Sequence, residues 1–142
     1  MPDIEAARRF LRESYLVVDA ATVDAAIVRV GTEISEAFAE AYPLLLTVMG
    51  GAVMFAGRLL PLLRIPLDID YLHATRYGDA TKGGGIEWKV PPPAGVKGRH
   101  VLVLDDILDA GHTLKAIRDR LLEAGAASVR CAVLVEKILP AA

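Results

Sequence analysis

Three carboxylates, Asp105, Asp106 and Asp109, fall within five positions, directly after the uncharged run 101–104 and just before Gly111, His112 and Thr113. The whole stretch, "VLVLDDILDAGHTL", reads as a buried strand, a turn and the start of a helix. Unpaired backbone N–H groups at a helix start favour an anion, and Gly111 permits the tight or left-handed turn before it. The Thr113 hydroxyl adds a donor for a phosphate oxygen. The acids would repel a bare phosphate, so they must face something else. Adjacent carboxylates accept well from a vicinal diol, and they hold magnesium directly or through water. A group carrying a 5′-phosphate, ribose hydroxyls and a magnesium-bound pyrophosphate satisfies both halves of the turn. A solvated loop accounts for an Asp-Asp pair alone, but three acids, the glycine and Thr113 together favour a site.

The elements that must position these residues are legible as patterns. "DIEAARRFLRESYLV" spaces Ile4, Ala7, Phe10 and Leu11 on one helical face. A second helix is expected after Thr22, as N-cap, running towards Tyr42 through Ile27, Ile34 and Phe38. "LLLTVM" is a short apolar run, as in a strand buried on both faces, and "GAVMFAGRLLPLL" a helix that opens after a glycine turn and ends near Pro61. "LDIDYLHATRY" has the period of two of a strand, "GDATKGGG" the composition of a flexible loop, and "IEWKV" that of a return strand. "PPPAGVKG" resists regular structure. The helix after the acidic turn should bury Leu114, Ile117, Leu121 and Leu122 and stop at Gly125, with "SVRCAVLV" as a further buried strand. Strands alternating with helices, several of them wholly apolar, imply an α/β fold with a mainly parallel twisted sheet flanked by helices.

The totals agree. With 142 residues, 54% hydrophobic, 24% charged and a net charge of −2, the chain suits one globular domain, with no electrostatic case for nucleic acid. The uncharged segment 41–57 is shorter than the ~20 residues of a spanning helix and is broken by Pro43 and Gly50-Gly51, so it is read as core, not membrane. The first residues lack an apolar signal core, and a cytoplasmic location is expected. The single cysteine, Cys131, is expected to be buried and unreactive. His73 and His100 have no metal-ligand spacing.

The acidic stretch resembles the phosphoribosyl-pyrophosphate signature of the type I phosphoribosyltransferases. The resemblance is closest to the bacterial hypoxanthine-guanine members and extends through "VMGGAVMFAG", "DYLHATRYGDAT", "GGGIEWKV" and "AVLVEK"; "DYLHATRY" with the lysine after the last strand narrows it to the purine branch. It implies transfer of phosphoribosyl from 5-phosphoribosyl 1-pyrophosphate to hypoxanthine or guanine, with Mg2+ as cofactor. By position it gives the ribose hydroxyls and the metal to Asp105 and Asp106. Asp109 becomes the catalytic acid beside purine N7, and Ala110, Gly111, His112 and Thr113 the 5′-phosphate cradle. It also gives the purine face to Ile107 and the 6-oxo group to Lys137. Met49 and Gly50 fall in the pyrophosphate turn, where the family often strains a peptide bond, and Arg76 and Tyr77 in a flexible β-hairpin lid.

Ala110 stands where threonine is common in the family, and His112 where arginine or lysine is common. The family continues past the lysine with an aromatic residue that stacks on the purine and an acid near its exocyclic group; here the sequence ends "KILPAA". The expectation is therefore a single domain, 1–142, without that C-terminal hood and with a base site open on one side. The resemblance also implies a homodimer or homotetramer. A non-catalytic phosphoribosyl-pyrophosphate or nucleotide-binding regulator is the alternative on the same fold. A receiver-type phosphoacceptor domain ranks lower, because its acidic pair should follow the first strand.

Overall fold

The computed structural model describes residues 2–14, 18–76, 85–108 and 112–136, with the side chains of Leu108 and His112 excepted. In chain order the elements are α1 (Ile4–Glu13), α2 (Ala20–Ala37), β1 (Leu44–Val48), α3 (Val53–Leu59), β2 (Asp68–Arg76), β3 (Ile86–Val90), β4 (His100–Leu108), α4 (His112–Glu123) and β5 (Ser128–Glu136). The strands form one sheet in the order β3-β2-β1-β4-β5. β1 runs parallel to both β2 and β4, and β4 parallel to β5, whereas β3 returns antiparallel along β2. The expected mainly parallel sheet with a β2–β3 hairpin is therefore present.

Alternation along β1 and β4 explains their uncharged sequences. Leu44, Leu46 and Val48 join Val101 and Val103 under Leu114, Ile117 and Leu121 of α4. Leu45, Leu102 and Leu104 face the other way, against Ile27, Ile34 and Phe38 at α2 and Phe55 and Leu59 of α3. A strand covered on both faces must be apolar at every position, and all five residues of β1 are buried. Glycine ends α4 as expected. Gly125, at φ +96°, lets its own N–H reach Leu122 O and that of Ala126 reach Leu121 O, at 3.0 and 3.1 Å.

Four expectations are corrected. The N-cap of α2 is Asp19, whose carboxylate accepts from Thr22 N at 2.8 Å, so the helix starts before Thr22 and ends at Ala37. α1 forms, capped by Asp3, but none of its residues is buried, and Phe10 is 75% exposed. β5 is an edge strand without a fully buried residue, and Cys131 on it is exposed. Leu122 lies outside the α4 stripe and is exposed. Hydrophobicity marked these segments correctly as elements; what covers them is a tertiary matter.

At the amino ends of the strands, Arg99 donates to Asp68 Oδ2 and to Tyr42 O, both at 3.0 Å, and lies over the Tyr42 ring. This clamp ties the starts of β1, β2 and β4 together and leaves their carboxyl ends to carry ligand chemistry.

Candidate functional site

In an open parallel sheet the carboxyl ends of the strands open towards ligands, because the turns there are not filled by core side chains. Asp105 and Asp106 lie towards that end but within β4, which runs on to Leu108 and stays paired with β5 rather than turning after Leu104 as expected. Odd-numbered residues of β4 face α4 and even-numbered residues face α2 and α3, so the two acids leave the strand on opposite sides. Both are half-buried.

Asp106 reaches the turn between β1 and α3. A Cβ built on Gly51 would stand 2.6 Å from Asp106 Oδ2, 2.8 Å from its Cγ and 2.9 Å from its Oδ1. Asp106 Oδ1 accepts from Ile107 N at 2.9 Å, which fixes the carboxylate locally. The turn itself is held by Met49 N donating to Leu72 O at 2.8 Å and Ala52 N donating to Val48 O at 3.2 Å. The Met49–Gly50 peptide bond is cis. Thus Met49 and Gly50, singled out from the sequence, share one end of the sheet with Asp106.

Asp105 Oδ1 accepts from Asp106 N at 2.8 Å. Burial pushes its carboxyl up to about 6; that N–H pulls it down, and the neighbouring Asp106 carboxyl raises it further. On its side of the sheet the Cys131 thiol is also raised, chiefly by desolvation, while Arg118 of α4 lowers it and Asp105 raises it.

Thr113 is the second residue of α4 and is half-buried. His112 is its first residue. Ile107 is 49% exposed, and its register partner on β5, Val135, is 43% exposed. Side chains at paired positions of parallel strands share a face, so the two form an apolar step at the sheet end. Arg76 ends β2 opposite Ile86, at the same end of the sheet. Asp109, Ala110 and Gly111, with Tyr77 and Lys137, lie outside the described residues. The same is true of residues 78–84 of the expected lid.

Two contributors escaped the sequence reading. Gly51 is visible there as the second member of a Gly-Gly pair, but nothing local says which glycine is approached. Val135 becomes notable only through its register with Ile107.

The layered sheet, with an acidic strand end beside a tight turn and a helix start, is the architecture of a domain that takes its ligand across the carboxyl ends of its strands. A family model described as a phosphoribosyl transferase domain matches residues 19–139. The chain belongs to that family. It is 33% identical over 110 residues to a hypoxanthine-guanine phosphoribosyltransferase of Streptococcus pneumoniae, covering 77% of this chain and 61% of that protein. A protein of the same name from Streptococcus agalactiae is 32% identical over 108 residues, covering 75% and 60%. The chain thus spans about three fifths of the length of these relatives. Among solved structures, a hypoxanthine-guanine phosphoribosyltransferase of Bacillus anthracis superposes with a TM-score of 0.80 at 21% identity, covering 87% of this chain and 74% of that one. That likeness establishes the fold.

Proposed function

We propose that this chain is a purine phosphoribosyltransferase domain of base salvage, joining hypoxanthine or guanine to the phosphoribosyl group of 5-phosphoribosyl 1-pyrophosphate. The products are IMP or GMP and pyrophosphate. The observation that carries the reading is the seating of Asp106 against Gly51, which sets an acid suited to ribose hydroxyls beside the turn assigned to pyrophosphate.

In this reading the diol lies across the end of β4 and donates its hydroxyls to both acids, to Asp105 on the α4 side and to Asp106 on the α3 side. Thr113 donates its hydroxyl to the 5′-phosphate, joined by the backbone amides of Ala110 to Thr113. Ile107 packs on the purine face, Lys137 donates to its 6-oxo group and thereby disfavours adenine, and Arg76 and Tyr77 help close the lid over the site. Purine nitrogen displaces pyrophosphate at the anomeric carbon while positive charge builds on the ribose ring. Carboxylates beside the ring stabilise that charge, and Asp109 takes the proton released from the imidazole part of the base.

The donor set fits magnesium. The two half-buried carboxylates leave β4 on opposite faces, so each suits an ion that takes most of its ligands from substrate oxygens and water. Asp105 and Asp106 would hold it, directly or through water, and it would supply charge neutralisation to the departing pyrophosphate. No helix among the described residues is long and apolar enough to cross a membrane; we place the protein in the cytoplasm as a homodimer or homotetramer.

The test is direct. The full chain is incubated with magnesium, 5-phosphoribosyl 1-pyrophosphate and hypoxanthine, guanine, xanthine or adenine, and nucleotide is separated chromatographically. Hypoxanthine or guanine should give product and adenine none. Binding of 5-phosphoribosyl 1-pyrophosphate without nucleotide from any base would overturn the enzyme reading in favour of a regulator on the same fold. Light scattering checks the oligomer.

A further inference from the structure

Glycine is commonly selected for a positive φ, and two described glycines fit that reason: Gly98 at +75° and Gly125 at +96°. Gly51 does not. Its backbone lies outside the left-handed region, so a side chain is compatible with its conformation. What excludes one is a single neighbour: all three nearest atoms to its built Cβ are the carboxylate carbon and oxygens of Asp106, all within 3 Å. Gly31 and Gly125 have no contact under 3.0 Å, and the adjacent Gly50 has nothing within 4 Å.

We propose that Gly51 is a positioning residue: its missing side chain seats the Asp106 carboxylate against the turn after β1 and so fixes the ribose-binding acid relative to the pyrophosphate site. The functional half of this statement rests on the reading above. Swinging the carboxylate aside costs the bond that Oδ1 accepts from Ile107 N. A methyl group at position 51 must therefore break the Asp106–Ile107 bond or push the turn outward. Either movement separates two groups that have to meet one ligand, and misplacement by about 1 Å is enough to cost catalysis heavily.

The experiment is a double-mutant cycle of Gly51→Ala and Asp106→Ala, read in two ways: melting temperature of the ligand-free protein, and calorimetric affinity for 5-phosphoribosyl 1-pyrophosphate with magnesium. Gly51→Ala alone should lower the melting temperature by roughly 3–6 °C and the affinity at least tenfold. In the Asp106→Ala background the same substitution should change neither, because the obstructing atoms are gone. Gly57→Ala, on α3 with nothing within 4 Å of its Cβ, should keep wild-type affinity. Additive effects in the cycle would mean that the glycine serves the turn itself and would overturn the proposal. If Gly51→Ala does not fold, folding of the double variant supports the proposal and its failure refutes it. Absence of binding by the wild type removes the functional reading alone, and the melting cycle still decides whether Gly51 seats Asp106.

Discussion

Replacing Asp105 by asparagine keeps the size of the side chain and an oxygen for the Asp106 N–H, but removes the half-buried charge. In the folded protein this carboxyl is raised from 3.8 to about 6, first by burial. For a fully enclosed group such a rise corresponds to roughly 3 kcal/mol between charge states. Asp105 is only half-buried, and screening by water brings the effect to the order of 1–2 kcal/mol. The folded state holds this proton more tightly than the unfolded chain. The favourable contribution is therefore complete below 3.8 and is lost as pH rises through about 6. Asp105→Asn should accordingly melt roughly 3–7 °C above wild type at pH 8, in ligand-free and metal-free protein. Most of that gain should disappear by pH 4. Differential scanning calorimetry at the two pH values measures it. A variant no more stable than wild type at pH 8, or a gain of equal size at pH 4, would refute the assignment of an energetically costly carboxylate. The same variant should bind 5-phosphoribosyl 1-pyrophosphate at least tenfold more weakly, which separates a site residue from a packing residue.

Thr113→Val should weaken 5-phosphoribosyl 1-pyrophosphate binding by about tenfold, the worth of one hydrogen bond to a charged group, with little change in melting temperature; calorimetry checks both. Asp109→Asn should reduce turnover at least a hundredfold, as expected for loss of a proton-handling group, while ligand affinity stays near wild type; steady-state kinetics would expose an unaltered rate. Ile117→Ala, at a fully buried position under the sheet, should cost about 2–5 kcal/mol in urea unfolding.

The sequence exposed those parts of the molecule that local pattern controls. The uncharged run before Asp105 had to be a strand covered on both sides, and Gly125 had to follow a helix. The position of the acids towards a strand end followed from the change of pattern at that point. Other features depend on what packs against a segment from a distance. "SVRCAVLV" is as apolar as a central strand, yet it lies at the sheet edge, so Cys131 is exposed. The face of α1 is equally periodic, and among the described residues it buries nothing. For the site, the residue types and order of Asp105, Asp106 and Thr113 were readable, but the divergence of the two acids to opposite faces needed the helices on each side. The contact of Asp106 with Gly51 joins residues 55 positions apart in number, and no local pattern encodes it.

β1 is bonded to a parallel neighbour on each side and is buried along its whole length. In a molecule that opens in patches, such a strand is released last, whereas β3 and β5 at the edges are released first. Amide hydrogen exchange should therefore be slowest across 44–48 and faster along both margins. The turn bearing Met49, Gly50 and Gly51 thus hangs from the segment with the rarest openings. Breathing at either margin can proceed while this turn, which we assign to the anionic leaving group, stays where it is.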